Sequence, residues 1–430
     1  MSTIDAINVR GGPLQKWAAP RTWFRVLALL VAWLGPALLA LNGVRAAQDT
    51  SLEEFDEVCP HTKGQAELLA KLGVLKVGET GWAGALKSAD VKEALGGCPV
   101  LFLETEHFYF ASTLESYRLG EDREDTVWLQ AEMAELKKLL PKFKPPVKID
   151  PWLRAHLWAR RLEKWYADFV TTFGITPADF EELARKAKAG ESMGEGPYLG
   201  MKDKFVVLLT EKRSNFGRYL KRFQNAEAEY SYRTYQEKSL FYGSNYESMK
   251  DGSMDREISF AASVAAGMAA NFIDASRDSR MAAPEWFRYA VAHRAARKVD
   301  PRVPQWGAGG PAAAAEENTW VWEPRVHGLV KNNVALPWAD MLAWRKLDDI
   351  KPREHMLAWS RLEFLVERKK DKLRELWLAY TKPIDDWSAK REETRAARHK
   401  ADFERVLGPD VAALDAEWRA WVLKTYAKKR

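Results

Sequence analysis

The stretch "DREISFAASVAAGMAANFID" (255–274) does most to limit what this chain can fold into. Its Ala, Ser and Gly residues recur along a helical segment, and small side chains let a neighbouring element approach closely. A second helix, "APEWFRYAVAHRAARKV" (283–299), follows after a short connection. Nineteen Trp among 430 residues suggest what surrounds them. A Trp buries a large ring and usually keeps its N–H partnered, so the count implies a thick, aromatic-rich core.

The first fifty residues are not part of that core. Arg21 and Arg25 precede the apolar run "VLALLVAWLGPALLAL" (26–41), and "VRAA" (44–47) supplies small residues where a signal peptidase cuts. This is the pattern of a secretory leader ending at Ala46, with an uncleaved N-terminal anchor as the alternative. The run is interrupted by Gly35 and Pro36 and is short for a spanning helix. No Cys lies near the cleavage site, which argues against a lipoprotein. The leader holds Arg10, Lys16, Arg21, Arg25 and Arg45 against Asp5, so its removal takes the formal charge from +6 to about +2. That balance gives no support for a nucleic-acid partner. Localisation is expected to be periplasmic or extracellular. In such an oxidising compartment Cys59 and Cys98, the only cysteines, suggest one disulfide, with two buried thiols as the alternative.

Beyond the leader the periodicity predicts an α+β fold, predominantly helical. Residues 47–100 read as a small helical segment. Residues 101–254 read as a mixed α/β subdomain, and 255–430 as a helical one. "CPVLFLETEHFYFAS" (98–112) is β-rich, and "WLRAHLWARRLEKWYADFVTTFGI" (152–175) carries an apolar stripe at helical spacing. "KFVVLLT" (204–210) reads as a short buried strand, "SNFGRYLKRF" as a helix, and the Tyr-rich stretch from Tyr230 as a strand or hairpin. "QWGAGGPAAAAEENTW" (305–320) reads as a loop, and the last third as helical.

The order strand, helix, aromatic hairpin, small-residue helix and "P-x-W" helix resembles the peptidase-MA-like gluzincins, zinc metallopeptidases found among exported bacterial proteins. The likeness spans roughly 100–426. In that family an HExxH helix gives two His ligands and a catalytic Glu, and the next helix gives a third ligand as Glu. Two His at i and i+4 face one side of a helix and hold one zinc, leaving an open position for water. Pro284, Trp286, Phe287 and Ala292 match the second helix, but Tyr289 stands at the ligand position. Along the first helix the resemblance places Ser263 and Gly267 at the His positions and Val264 at the catalytic Glu. The frame therefore implies an enzyme whose site has been emptied, with no catalytic residue, metal or cofactor.

Other chemistries find little footing. His61, His107, His156, His293, His327, His355 and His399 are scattered, with no pair at metal-ligand spacing; His293 reads as an exposed helical residue and His107 as part of a core-packed strand. There is no G-x-S-x-G, P-loop or G-x-G-x-x-G. An emptied gluzincin cleft could still hold an extended peptide against its edge strand, because strand addition needs no metal. Tyr230, Tyr232, Tyr235 and Tyr242, with Phe241 and Tyr246, are candidate groove aromatics; core packing is the alternative. The expectation is a peptide- or protein-binding module of the cell envelope. An active hydrolase with a non-standard site and a purely structural envelope protein remain as alternatives.

Overall fold

The computed structural model describes residues 54–120, 122–140, 142–176, 178–180, 196–251, 255–275, 283–303, 321–345, 350–380 and 391–428. The leader through Ala46 and the 305–320 loop lie outside them. The fold is α+β and predominantly helical, as the periodicity predicts. Short elements come first: α1 (Ala66–Lys71), β1 (Lys76–Val77), α2 (Ser88–Ala94), β2 (Leu101–Glu104), β3 (Phe108–Ser112) and β4 (Tyr117–Arg118). Then follow α3 (Arg123–Leu139), β5 (Lys148–Ile149), α4 (Pro151–Phe173), β6 (Phe205–Thr210) and α5 (Arg213–Gln224). The hairpin β7 (Ser231–Gln236) and β8 (Ser239–Asn245) leads through α6 (Tyr246–Asp251) into α7 (Glu257–Asp274) and α8 (Glu285–Val299). The C-terminal part is α9 (Trp322–Lys331), α10 (Trp338–Met341), α11 (Pro352–Arg368), α12 (Lys370–Tyr380), α13 (Arg391–Leu407) and α14 (Val411–Thr425).

Six strands form one mixed sheet in the order β1-β2-β3-β6-β8-β7. β6 runs parallel to β3 and β8, and the outer pairs are antiparallel. All six residues of β6 are buried because both faces of the sheet are covered. On one face Phe102, Ala111, Val206, Leu208 and Phe241 pack with Trp82, Val91, Phe216 and Tyr219 of the α2–α5 layer. On the other, Leu103, Phe110, Val207, Leu209 and Tyr242 join a much larger core with α4, α7, α8 and the C-terminal helices. The N-terminal segment is not purely helical, since β1 extends this sheet. Much of the Trp content lies in the large core: Trp158, Trp286, Trp322, Trp338, Trp377 and Trp418 are all fully buried.

Local signals set the long helix at the centre. Asp150 caps α4 by accepting from the Leu153 N–H at 2.9 Å, Pro151 occupies the first turn, and Gly174 ends it at φ 63°. No helix among the described residues is long and apolar enough to cross a membrane.

Candidate functional site

The helix that opens the sequence argument is fixed first at its N-terminus. Glu257 is 1% exposed and bridges two arginines of α4: Oε2 accepts from Arg154 Nη2 and Oε1 from Arg161 Nη1, each at 2.8 Å. Arg154 also reaches Glu211 at 3.3 Å and the Glu115 carbonyl at 2.7 Å, while Arg161 makes further bonds to Glu132. Burial pushes the Glu257 carboxyl up, but Arg154 and Arg161 overcome it and hold it below its ordinary range. The first two N–H groups of α7 are met from outside the helix: Glu257 N–H donates to Tyr117 Oη at 3.3 Å and Ile258 N–H to Asp125 Oδ1 at 2.8 Å. A buried carboxylate at this end also suits the helix dipole.

From that anchor, α7 turns Ser263 and Gly267 toward the sheet, one above the other as i and i+4 require. The ring of Tyr242 from β8 fills the space they face. A Cβ added to Gly267 would lie 2.1 Å from Tyr242 Cε2, so the close approach of helix and ring requires glycine. The Tyr242 hydroxyl is satisfied by Ser244, Ser231 and Ser263, and burial raises it to about 12, keeping it protonated. Val264 is fully buried in the same core. A zinc ion does not fit these residues: Ser263 is committed to Tyr242, Gly267 has no donor, and an aromatic ring occupies the space between helix and sheet. Among the described residues no group of three or more His, Cys, Asp or Glu could hold a metal ion.

Tyr289, half-buried on α8, sits edge-on to His355 with ring centroids 5.2 Å apart. Nearby, β7 meets the C-terminal end of α7. Arg233 donates to Asn271 Oδ1 and Asp274 Oδ2, both at 2.7 Å, and the Tyr235 hydroxyl donates to the Asp274 carbonyl. Arg288 on α8 pairs with Glu285 at 3.5 Å, feels the charge of Asp274, and lies near the Tyr289 and Tyr235 side chains. The four aromatics singled out from the sequence do not line one groove. Tyr235 lies on the helix-covered face beside α7 and α8, whereas Tyr232 packs on the opposite face. Tyr242 is sealed between β8 and α7, and Tyr230 precedes β7, its carbonyl accepting from Ser244 Oγ at 2.9 Å. Phe241 belongs to the Tyr232 side, and Tyr246 lies under the Arg154 guanidinium, 4.7 Å from its ring centroid. Strand β7 ends the sheet, with no strand beyond it among the described residues.

The cysteines require a correction. Cys59 and Cys98 form no disulfide, because the sheet lies between them. Cys59 packs in the large core against α4, and Cys98 beside the α2–α5 layer on the far face. The Cys59 thiol lies 3.3 Å from His156 Nε2. Burial, helped by His61, holds His156 down to about 4, so it stays neutral and cannot serve as the imidazolium partner of a catalytic thiolate. His293 is not exposed: it is 1% accessible, with Nε2 2.9 Å from Nδ1 of His355. Burial drives both imidazoles down, His355 to about 3, and His355 and Arg297 further disfavour charge on His293. His107 sits in the β2–β3 turn rather than on a strand, bonded to Glu163 at 2.7 Å and stacked on Tyr166 at 3.7 Å. His61 is held by Asp150 at 2.6 Å, His399 lies 5.3 Å from the Tyr380 ring, and His327 is half-buried on α9.

Comparison with protein-family models, with curated proteins and with solved structures finds no match for this chain. The residues that spacing alone did not single out are Arg154, Arg161, Glu257 and the His293–His355 pair. Arg154 and Arg161 lie two turns apart on a helix whose stripe looked amphipathic, and their separation by seven is the one local sign of a shared inward face.

Proposed function

We propose that this chain is an exported, catalytically inactive peptidase-like protein that holds an extended peptide or protein segment of the cell envelope. The observation that carries this reading is the contrast along α7 and β7. The face of α7 that would carry zinc ligands in a gluzincin is packed shut by Tyr242, while β7 still ends the sheet beside Tyr235, Arg288 and Tyr289. A terminal strand offers main-chain donors and acceptors to an added strand, and the neighbouring side chains supply selectivity. Nothing in this recognition needs a metal or a nucleophile.

The first experiment is metal analysis of the chain lacking the leader, purified without chelator and re-measured after zinc addition, combined with capture on an array of unstructured peptides. No zinc, together with saturable capture that Tyr235→Ala and Tyr289→Ala weaken without lowering thermal stability, supports the reading. Stoichiometric zinc or peptide hydrolysis would favour the active-hydrolase alternative. Capture indifferent to both substitutions would favour a purely structural role.

A further inference from the structure

The face of α7 turned away from Tyr242 borders a cleft that the reading above does not use. Helices α3, α4, α7 and α8 enclose a cavity of about 120 Å³ that opens to solvent. Ala265 and Ala269 of α7 and Ala295 of α8 leave this volume, with Phe272 and Val291 completing an apolar floor. Trp128 and Trp165, both half-buried, stand at its walls. An apolar cavity of roughly 150 Å³ accepts one benzene ring, so this one suits a single ring or a chain of similar bulk.

The charges at the mouth are unequal. Arg161 is committed to Glu132 and Glu257 at 2.7–2.8 Å, and Arg294 holds both oxygens of Glu363 at 2.5 Å. What remains is Lys298, 3.8 Å from Asp168 with both side chains about half exposed (45% and 48%), and Lys164. Lys164 is exposed, and its charge acts on the carboxylates of Glu132 and Glu135. Glu257 and Glu363 lie outside the lining, where Arg161, Lys164, Arg294 and Lys298 face two carboxylates, Glu132 and Asp168, leaving positive charge in excess beside an apolar floor.

We infer that this cleft binds a small aromatic monocarboxylate, its ring on the alanine floor and its carboxylate at Lys164 and Lys298. A charge-assisted bond is stronger than its neutral counterpart, so the carboxylate outcompetes an isosteric amide. The site lies on the other side of α7 from Ser263 and Gly267, so its occupancy is independent of peptide capture at β7.

Fluorine NMR of para-fluorophenylacetate and para-fluorophenylacetamide, titrated into the purified chain, tests the inference. The acid binds about tenfold more tightly than the amide, a difference on the order of 1.4 kcal/mol. Lys164→Gln and Lys298→Gln each remove most of that preference, and Asp168→Asn increases it. Ala295→Leu, at a half-buried position that tolerates bulk, reduces binding of both probes while the melting temperature is unchanged. Equal affinity for acid and amide, no binding of either probe, or undiminished binding by a folded Ala295→Leu chain would each overturn it.

Discussion

Helix α7 presents two faces built from equally small residues, and they end up in opposite states. Toward the sheet, Ser263 and Gly267 are in contact with the Tyr242 ring, so closely that a single added carbon at position 267 would collide with it. Away from the sheet, Ala265 and Ala269 look into a cleft of about 120 Å³. The difference lies in the neighbour. A sheet strand can direct one large ring into a gap between small residues. A facing helix that itself offers Ala295 and Val291 leaves the gap open. Small residues on a helix therefore show that close approach is possible, while the opposing side chain decides whether the space is filled.

The comparison presumes that α7 is held in one orientation, and the strongest way to break it is at Glu257. Replacing it by Gln leaves Arg154 only with Glu211 and Arg161 only with Glu132, and removes the carboxylate that both buried arginines share. Glu257→Gln is expected to lower unfolding free energy by about 3 kcal/mol through weakened charge-assisted hydrogen bonds, measured by urea denaturation. A loss below about 1 kcal/mol would mean that Glu211 and Glu132 suffice for the arginines, and that the helix is not fixed by this anchor.

Acid probes the same core from a different side. The folded-state basicity of His156 and His355 is depressed to about 4 and about 3, against about 6.5 in an unfolded chain. The unfolded chain thus takes up protons first as pH falls. The stability these residues contribute is complete above about 6.5 and is lost progressively below it. Between neutrality and about pH 4.5 the urea midpoint should fall, with each His contributing on the order of 2 kcal/mol. His355→Gln should flatten that slope. The lowered Glu257 carboxyl adds a second loss in the same direction only below the usual Glu range near about 4.3. A midpoint constant down to pH 5 would show that these imidazoles are reached by water.

Periodicity made the elements of this molecule legible, because a helix or strand with one or two covered faces must show that in its spacing. The long helix predicted over 152–175 spans Pro151–Phe173, and the Tyr-rich stretch is the β7–β8 hairpin. The i and i+4 placement of Ser263 and Gly267 on one face was legible for the same reason. What filled the space opposite was not, since Tyr242 comes from a strand whose two faces alternate and whose register is set by tertiary pairing. The same limit explains the cysteines. Nothing local to Cys59 or Cys98 tells which face of the sheet each will join. His293 and His355 meet across 62 residues of chain, a contact set by helix packing that no spacing rule reaches. Charged side chains are the least legible: the apolar stripe of 152–175 says nothing of Arg154 and Arg161, and only the matching carboxylates of Glu257, Glu211 and Glu132 explain their burial.

A third test addresses the sealed face directly. Gly267→Ala should destabilise by about 1–3 kcal/mol, because overpacking forces the ring or the helix to shift. Placed in a Tyr242→Leu background, the same change should cost far less, since the atoms it strikes are gone. The two substitutions touch one another, so their effects should be non-additive by about 1 kcal/mol or more in a double-mutant cycle. Additive effects would mean that helix and ring are not in contact as described, and the contrast between the two faces of α7 would then lose its sealed half.

The smallest expected effect lies on the open face and sharpens the contrast most. Ala269→Val adds two methyl groups where the cleft provides room, so neither overpacking nor a new cavity arises. Valine gives up a few tenths of a kcal/mol of helix propensity relative to alanine, which the extra buried apolar surface offsets. The net change should therefore stay within about 0.5 kcal/mol by urea denaturation. One added carbon at position 267 is thus expected to cost more than two at position 269, only two residues along the same helix. A loss at Ala269 as large as that at Gly267 would show that the cleft closes in solution, and that both faces of α7 are packed alike.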